Sequence, residues 1–443
     1  MTRFQLSIVG WMVLMAGSVS AFAQESEFKV TYKAAHATFE KKDFAAAAIL
    51  FRKAAEIGER TWGKSDARVT EAKDNQGRSY LNINEYQNGL SAYIVAYRET
   101  MGIKNKGERT TAIRSAYGLA QALNGLKRYE EAIPYANWAI GILTAGGDDQ
   151  EYLYSIRNEL ASSYEHLNRY KEAEAVFQAS LNASPTKAQK RYLLGRVGWM
   201  RFRMKDFDLA ARKTKEQIEL LDLSTEDGVL TAAHTNYDLS TIYLGKPDLD
   251  KALDAVREAA RLYELTGSAG RDHLAEAHHR IGETLIKLKQ YDAAKEAYLK
   301  AAVIYEGLSQ PQKCADTYYN LAFAAYQSGQ NEDAEQFAGL ALAKHDRLGS
   351  SALLDVAWDV ALLGHLCCAK KKFATAERHY QRALSIREQA PGKPNADDSR
   401  KNLAYAKSQT VDVSSKDLAE LRTLALRNND PGVGLAVAGE PPP

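Results

Sequence analysis

The densest group of residues that could do chemistry is a histidine-rich stretch that contains His273, His278, His279 and Glu283. His279 and Glu283 are four residues apart, a spacing that places two metal ligands on one face of a helix. His273 and His278 are five apart, so their side chains splay. We therefore expect solvated or hydrogen-bonded histidines here, and we predict no metal site.

Catalytic motifs are missing from the rest of the sequence. It contains no glycine-rich phosphate loop, no Gly-x-Ser-x-Gly elbow and no Cys-x-x-Cys pair. Its periodicity, described next, brings no nucleophile, base and orienting residue together. We predict a protein that is not an enzyme and that uses no cofactor.

One short phrase returns at intervals of about 42 residues along the chain. Its first example is Lys-Lys-Asp-Phe44-Ala-Ala-Ala, and we call the residue at the position of Phe44 the turn residue. The later turn residues are Tyr86, Tyr129, Tyr170, Phe207, Leu249, Tyr291, Asn331 and Phe373. Nine residues before and three residues after each turn residue stands Gly, Ala or Ser. Two antiparallel helices can cross closely only where side chains are this small, so these columns predict helical hairpins.

Larger side chains surround the predicted crossing points, for example Leu285 six residues before a turn residue and Tyr298 seven after it. This series of small and aromatic positions resembles the tetratricopeptide repeat (TPR) family over about Phe28 to Gln409. The repeats exceed the usual length of about 34 residues and are similar to the long, kinesin-light-chain-like subclass. The resemblance implies an all-α, right-handed superhelical solenoid of about nine helix-turn-helix repeats.

Some repeats depart from the pattern. Repeat five has Thr214 and Gln217 at packing positions, and repeat eight has Asn331 as its turn residue. The proline that usually closes the second helix of the family is mostly missing. We expect these departures to weaken single repeats within one continuous array.

The charges are balanced, with 58 Lys and Arg against 56 Asp and Glu and a net charge of +2. A nucleic-acid partner usually requires a basic patch, so this balance argues against one. The cysteines Cys314, Cys367 and Cys368 are too few for a disulfide framework, and Cys367 is expected to be buried and inert. The sequence does not decide whether Cys314 forms a disulfide bridge with a cysteine of the last repeat.

The first 23 residues have the features of an export signal. Arg3 precedes an apolar run over residues 8–16, and Ala21 and Ala23 form a small-x-small cleavage site before Gln24. The run is shorter than the roughly 20 residues that a membrane span needs, so we expect cleavage and no stable membrane insertion. The signal and one weak glycosylation sequon at Asn182 favour a bacterial periplasm, with secretion as the alternative.

These observations divide the chain into four segments. Residues 1–23 are predicted to be a signal peptide, and 24–409 to be the repeat solenoid. Residues 410–427 are a candidate capping helix for the last repeat, because terminal repeats of a solenoid need a cap. Residues 428–443 are predicted to be a flexible tail rich in Pro and Gly.

The resemblance also implies which residues face the groove of the solenoid, because groove residues of the family lie eight, eleven and twelve before the turn, with fifteen as an outer neighbour. The candidate partner-binding residues are Asn75, Arg78, Tyr117, Asn158, Trp199, Tyr237, Arg280, Tyr319, Asn320 and Phe323. Asn75 and Asn320 match the asparagine with which related repeats hold a peptide backbone. Acidic Glu71 and Asp316 stand where capture of an acidic chain terminus would need Lys or Arg.

Two interpretations remain for the tyrosines at 32, 117, 237 and 319, namely ligand contact and packing against the preceding repeat. The favoured function is an exported adaptor or scaffold that binds a peptide or protein in the groove. One alternative is a structural component of a cell-envelope or secretion complex that uses convex or end surfaces. Another is an accessory protein that binds envelope polysaccharide through Tyr and Trp platforms.

Overall fold

The computed structural model describes residues 3–101, 106–146, 150–183, 186–392 and 395–410. These residues form α-helices joined by short turns, and no strand occurs among them. The chain divides into two compact units, Met1–Lys213 (unit 1) and Thr214–Pro443 (unit 2). The predicted all-α fold of helix-turn-helix repeats is confirmed.

Unit 1 holds the first nine helices and most of the tenth. They are α1 (Arg3–Glu40), α2 (Phe44–Trp62), α3 (Ala67–Leu81), α4 (Tyr86–Thr100), α5 (Lys106–Gly125), α6 (Tyr129–Gly146), α7 (Gln150–His166), α8 (Tyr170–Leu181), α9 (Lys187–Arg203) and α10 (Phe207–Ile218).

Unit 2 holds the remaining helices and one 3-10 turn, Gly349–Ala352. The helices are α11 (Glu226–Gly245), α12 (Leu249–Leu265), α13 (Arg271–Lys287), α14 (Tyr291–Gly307), α15 (Pro311–Gln327), α16 (Asn331–Leu348), α17 (Leu353–Ala369), α18 (Phe373–Gln389) and α19 (Ala396–Thr410).

Every turn residue is the first residue of an even-numbered helix, so the phase of the sequence pattern sets the helix boundaries. In the first repeat the Asp43 side chain accepts a hydrogen bond of 3.2 Å from the backbone N–H of Ala46. Such an N-cap satisfies one of the free donors at the start of a helix. Odd-numbered helices are called first helices below, and even-numbered ones second helices.

The residue two positions before each turn residue has a positive φ angle, which the sequence pattern did not predict. Among these residues are Lys42 (φ 63°), Asn84 (φ 60°), Lys289 (φ 59°) and Gly329 (φ 78°). The left-handed conformation ends the first helix and lets the next backbone N–H reach back to it, as when Glu85 N–H donates to the Tyr80 carbonyl at 3.0 Å. Lysine tolerates this conformation less well than Gly or Asn.

The small-residue columns form the predicted crossing points. Ala35, Ala120 and Ala322 nine before the turn, and Ala132 and Ala294 three after it, are fully buried. A Cβ added to Gly282 would lie 2.6 Å from the Tyr298 ring, so the aromatic column seven after the turn lies directly over the small column. Any larger side chain here must displace that ring.

First helices form the inner layer within each unit. In unit 1, α3 contacts α5 and α5 contacts α7, and in unit 2, α13 contacts α15 and α15 contacts α17. Among the described residues, no two second helices contact each other to the same extent. The first helices therefore present one shared surface in each unit, which we call the first-helix surface.

The boundary between the units lies in repeat five, directly before Thr214, one of the two residues of this repeat that depart from the packing pattern. At the other end, α19 packs against α18 through Leu403 and Ala406. It thus covers the last repeat, and the predicted capping helix at 410–427 lies outside the described residues except for Thr410.

One described segment, Asn331–Ala369, is long and apolar enough to cross a membrane, with a mean hydropathy of 1.6. It comprises α16, the 3-10 turn and α17, and 67% of the apolar window is buried inside the protein. Burial of this kind is typical of core helices, so its apolar character is explained by packing between repeats.

Candidate binding surface

All ten predicted groove residues lie on first helices, five in each unit. Their surroundings differ. Arg78 and Trp199 are exposed, Asn75 and Phe323 are buried, and the others are half-buried. The two first-helix surfaces are therefore described in turn.

In unit 1, Asn75 bonds to the first helix of the preceding repeat. Its Nδ2 donates to the Tyr32 hydroxyl at 3.0 Å. The Tyr32 ring also packs against Phe28, His36 and Phe51 within its own repeat. Asn75 thus links repeats one and two, and its amide is already used when no ligand is bound.

Beside Asn75 lies Asp74, a buried carboxylate with a cationic partner. Its Oδ1 accepts a 2.7 Å hydrogen bond from the Ser115 hydroxyl, and its Oδ2 lies 3.2 Å from Arg114 Nε. Burial raises the pKa of Asp74 to about 6, although Arg114 and Ser115 stabilise the ionised form. Glu71 lies 3.9 Å from Arg114 as well.

The rest of the unit 1 surface presents aromatic and amide side chains. Tyr117 packs edge-on against Tyr152 with ring centroids 5.3 Å apart. The side-chain oxygen of Asn158 is buried and has no hydrogen-bond partner among the described residues. On α9, Trp199 is 41% exposed and stacks on Phe202 at 5.2 Å.

Tyr192 is a residue of this surface that the sequence analysis did not select. It lies fifteen residues before its turn residue, two helical turns before Trp199, and it is 46% exposed. Residues seven apart lie on the same side of a helix. Tyr192 and Trp199 therefore give α9 an exposed aromatic stripe.

In unit 2, the corresponding side chains are engaged between repeats. The Arg280 guanidinium lies 4.3 Å from the centroid of the Tyr237 ring, and its Nη1 donates to the Thr241 hydroxyl at 2.7 Å. Asn320 Nδ2 lies 3.3 Å from His279 Nε2, repeating the link of Asn75 to the preceding first helix. These bonds join α11 to α13 and α13 to α15.

Phe323 and Tyr319 complete the unit 2 surface. Phe323 is buried, and Tyr319 packs on the cluster that contains Leu362 and Leu366 of the last repeat. Burial raises the pKa of Tyr319 above its ordinary value. In both units the tyrosines twelve residues before the turn residue, at 32, 117, 237 and 319, contact the following repeat. The packing alternative had placed them against the preceding repeat.

The histidine-rich stretch does not assemble into one site. His273 lies against the Tyr263 ring, His278 points toward Glu264 at 3.9 Å, and His279 lies near Thr317 on the next first helix. Their ring nitrogens bond in different directions. His273 and His279 also lie 3.5 Å from Glu276 and 3.6 Å from Glu283 on their own helix, so these histidines contact both their own and neighbouring helices.

The cysteines are all free and buried. Burial raises the pKa values of Cys314, Cys367 and Cys368. A thiol with a raised pKa is a poor nucleophile, because the reactive form is the thiolate. The bridge that the sequence left open for Cys314 is not formed.

A buried polar cluster around His345 was missed by the sequence analysis. His345 lies on α16 between Asp316 of α15 and Asp359 of α17, at 3.1 Å and 2.7 Å. Burial alone would lower the pKa of His345, but the two carboxylates outweigh it and raise the pKa to about 9. His345 and Asp359 lie outside the columns aligned on the turn, whereas Asp316 lies fifteen residues before its turn residue. The signal that could have found them is the acidic Asp316 four residues before Asn320.

The comparisons with known proteins agree with this architecture. One family model described as tetratricopeptide repeat matches residues 154–187 and 275–305, and a second such model matches 360–394. No curated protein matches the chain.

Several solved structures are similar. The apo form of RapI is 11% identical, with a TM-score of 0.50, over 77% of this chain and 98% of that one. The C-terminal part of a TPR repeat-containing protein from Cytophaga hutchinsonii is 14% identical with a TM-score of 0.47, over 62% of this chain and 95% of that one. BtubC (BKLC) from P. vanneervenii is 18% identical with a TM-score of 0.41, over 50% and 89%. The likeness to RapI supports the fold alone, a TPR-like solenoid.

Proposed function

We propose that this TPR-type repeat protein is an exported, non-catalytic adaptor or scaffold that binds a peptide or protein segment on the first-helix surface of unit 1. The observation that carries the proposal is the exposed aromatic stripe of Tyr192 and Trp199 on α9. Trp, Tyr and Arg contribute most of the binding energy at protein interfaces, because they combine large contact area with hydrogen-bonding groups.

The neighbouring side chains of unit 1 suit a peptide ligand. Arg78 is exposed on α3, and Arg114 and Gln121 are half-buried on α5. Arg114 is paired with Asp74, and Gln121 donates to the Tyr117 hydroxyl, so in this proposal Arg78 is the donor to the backbone of a peptide that extends along these helices. The burial of a peptide's apolar side chains against the stripe would provide affinity, and the polar groups would fix its register.

A pull-down from the native compartment, with the mature chain as bait, tests the proposal. We expect Arg78→Ala with Trp199→Ala to weaken partner recovery by at least about 30-fold, equivalent to about 2 kcal/mol. The matched control is Ile49→Ala with Ile94→Ala, which removes two exposed side chains from second helices of the same unit. Melting curves confirm that each variant folds.

A second candidate function has its own observation. In unit 2, the exposed apolar side chains Leu299, Val303 and Leu340 lie on second helices. An envelope or secretion complex that holds the protein by its outer helices would cover them. This function would be favoured over the adaptor if the partner were still recovered with the Arg78 and Trp199 substitutions but lost with Val303→Asp.

The third candidate is polysaccharide binding, because sugar rings also stack on Tyr and Trp. Titration of envelope glycans into the wild-type chain distinguishes it. Saturable glycan binding that Trp199→Ala abolishes, with no protein recovered in the pull-down, would replace the protein-binding proposal.

Export is part of the proposal and has a separate test. The apolar run at 8–16 and the Ala21 and Ala23 pair support cleavage before Gln24 and delivery to a bacterial periplasm. Mass spectrometry of the native protein is expected to find Gln24 as the first residue. A membrane-bound form that retains residues 1–23 would contradict the proposal.

A further inference from the structure

The His345 cluster lies where three helices of unit 2 meet. His345 is 1% exposed and Asp359 is 0% exposed, so both are withdrawn from solvent. Nδ1 of the imidazole lies 2.7 Å from Asp359 Oδ2, and Nε2 lies 3.1 Å from Asp316 Oδ1. The ring is thus held from both sides by carboxylates of α15 and α17.

A third carboxylate, Asp355, lies one helical turn before Asp359 on α17. One ligand atom from each of Asp316, His345 and Asp355 lies within 4.8 Å of the others. The Gln312 amide nitrogen lies 3.1 Å from Asp316 Oδ1 and 3.1 Å from Asp355 Oδ2, and so bridges the two carboxylates. The three ligand atoms are near enough to face one ion, which would displace the Gln312 amide from between Asp316 and Asp355.

The charges of the cluster do not balance. Asp316, Asp355 and Asp359 together carry three negative charges when ionised, and a protonated His345 offsets one of them. The nearby cations have other partners. Lys344 pairs with Glu306 at 2.9 Å, and Arg387 donates to Ser399 at 2.7 Å. A ligating imidazole is neutral, so a divalent cation that displaces the His345 proton would change the charge of the cluster from minus two to minus one.

The carboxylate behind His345 has one unpaired oxygen. Asp359 Oδ1 is buried and has no hydrogen-bond partner among the described residues. A buried carboxylate oxygen without a partner is costly, so Asp359 depends on positive charge beside it, on His345 itself or on an ion that His345 binds.

We propose that Asp316, His345 and Asp355 bind one divalent transition-metal ion of the Zn²⁺ class, with Asp359 as the carboxylate that orients His345. An imidazole that ligates a metal through one nitrogen usually donates its other N–H to a carboxylate, and the Nδ1 contact with Asp359 has this form. The sequence had predicted no metal site, because His345 and its partners come from three separate helices.

The distances suit this class of ion. Zinc lies about 2.0 to 2.2 Å from nitrogen and oxygen ligands, so two tetrahedral ligands are roughly 3.3 Å from each other. Asp316 Oδ1 and His345 Nε2 are 3.1 Å apart and need to move little. The Asp316 side chain is 43% exposed, which leaves an entry path and an open position for water.

The ion would hold α15, α16 and α17 together and so clamp repeat eight to repeat nine. Because a solenoid gains its stability from neighbouring repeats, a clamp of this kind stabilises the end of the array. Since the metal binds the folded state, its affinity adds directly to the stability of that state.

The test is a calorimetric titration of Zn²⁺ into the tag-free, chelator-treated full chain. We expect a site of one Zn²⁺ per chain and a rise in melting temperature that a chelator reverses. Asp355→Asn and His345→Gln should each weaken this site at least about tenfold, and Asp359→Asn by about 10- to 100-fold. Circular dichroism of the metal-free variants confirms their helical content.

The matched control is Asp346→Asn, which removes the carboxylate next to His345 that pairs with Arg382 at 2.9 Å outside the cluster. It should leave the Zn²⁺ affinity unchanged. Zinc binding that persists in Asp355→Asn and His345→Gln, or that is lost instead with His279→Gln, would overturn the proposal. The proposal would also be overturned if the wild-type chain bound no Zn²⁺ at millimolar concentration. It would be overturned as well if Ca²⁺ raised the melting temperature as much as Zn²⁺ and still did so in His345→Gln.

Discussion

The first-helix surfaces of the two units occupy the same repeat positions but use them differently. In unit 1 the surface ends in the exposed stripe of Tyr192 and Trp199. In unit 2 Arg280 covers Tyr237, and Phe323 is buried. Repeat phase therefore predicts where a side chain lies, whereas its neighbours in the next repeat decide whether it is available to a ligand.

The buried charges of the two units differ in the same way. Asp74 of unit 1 faces Arg114, a permanent cation, at 3.2 Å. Asp359 of unit 2 faces His345, whose charge depends on pH. Asp316 also contacts His345. Unit 1 therefore pairs its buried carboxylate with a permanent cation, whereas unit 2 pairs its own with a titratable one.

The largest expected effect tests what the units share, the helix crossing point. Gly282→Leu in unit 2 and Gly77→Leu in unit 1 both collide with a tyrosine ring, which a Cβ alone would approach to 2.6 and 2.8 Å. Each should cost about 3 kcal/mol, at the upper end of overpacking. Hydrogen exchange should rise in the mutated repeat and its neighbours only.

Gly339→Ala is the control, since a Cβ there meets nothing within 4 Å. It should stabilise α16 by about 0.5 to 1 kcal/mol. Uniform loosening of both units by either leucine variant would contradict the repeat architecture.

The second prediction contrasts two buried titratable groups with opposite pH dependence. The folded pKa of Asp74, about 6, is raised from 3.8, so the folded state binds the proton more tightly. Stability from this group is therefore lost as the pH rises from about 4 to 6, by roughly 3 kcal/mol at most. In Asp74→Asn, hydrogen exchange of α3, corrected for its intrinsic pH dependence, should not show this loss.

His365 of unit 2 should behave in the reverse sense. Burial and Arg387 lower its pKa from 6.5 to about 4, so the unfolded state binds the proton more tightly. Stability from this group falls as the pH drops from about 6.5 to 4, again by roughly 3 kcal/mol at most. In His365→Gln, exchange in α17 should lose this acid sensitivity. If hydrogen exchange depended on pH equally in wild type and variant, the group would not contribute the predicted pH dependence of stability.

The third prediction separates a structural surface from an open one. Tyr319→Ala with Asn320→Ala should destabilise unit 2 by about 2 kcal/mol, because it removes packing on the last repeat and the link to His279. Arg78→Ala with Trp199→Ala should destabilise unit 1 less, by about 1 kcal/mol, since Arg78 is exposed and Trp199 is 41% exposed. Melting curves measure both. If the unit 2 pair leaves stability unchanged and abolishes partner binding, the comparison between the surfaces is reversed.

The smallest effect concerns the turns, which both units share. Lys289→Gly should stabilise its repeat by about 0.5 to 1 kcal/mol, because glycine adopts a positive φ without strain. Lys287→Gly, at the last residue of α13, should destabilise it instead, by up to about 1 kcal/mol. Denaturation midpoints compare the two. A loss of stability at both positions would show that the lysine side chain contributes more than the backbone strain costs.

Much of the fold could be predicted from the sequence, because the restraint at the crossing point is local and repeated. The positions of Gly282 and Ala294 hold a small residue in every repeat because two helices cross there. Tyr291 begins a helix, as does the turn residue of every other repeat. The positive φ angles two residues before each turn residue were not predicted, because lysine, which stands there in several repeats, does not indicate a positive φ.

The site was less predictable. Sequence phase placed Trp199 and Tyr319 on the same kind of surface, but it could not show that only Trp199 is open. The His345 cluster was missed because its members come from α15, α16 and α17 and share no repeat position. Contacts between different repeats depend on each pair of neighbours, and one sequence does not reveal them.

The central claim, that unit 1 binds a protein through its first-helix surface, is tested most directly by photo-crosslinking. A photoreactive phenylalanine analogue placed at Trp199, at Ile49 or at Val303 samples the first-helix surface, the second helices of unit 1 and the second helices of unit 2. The account predicts one major protein crosslink from position 199 in the native compartment and little from the others. A major crosslink from position 49 or 303, with none from 199, would contradict it.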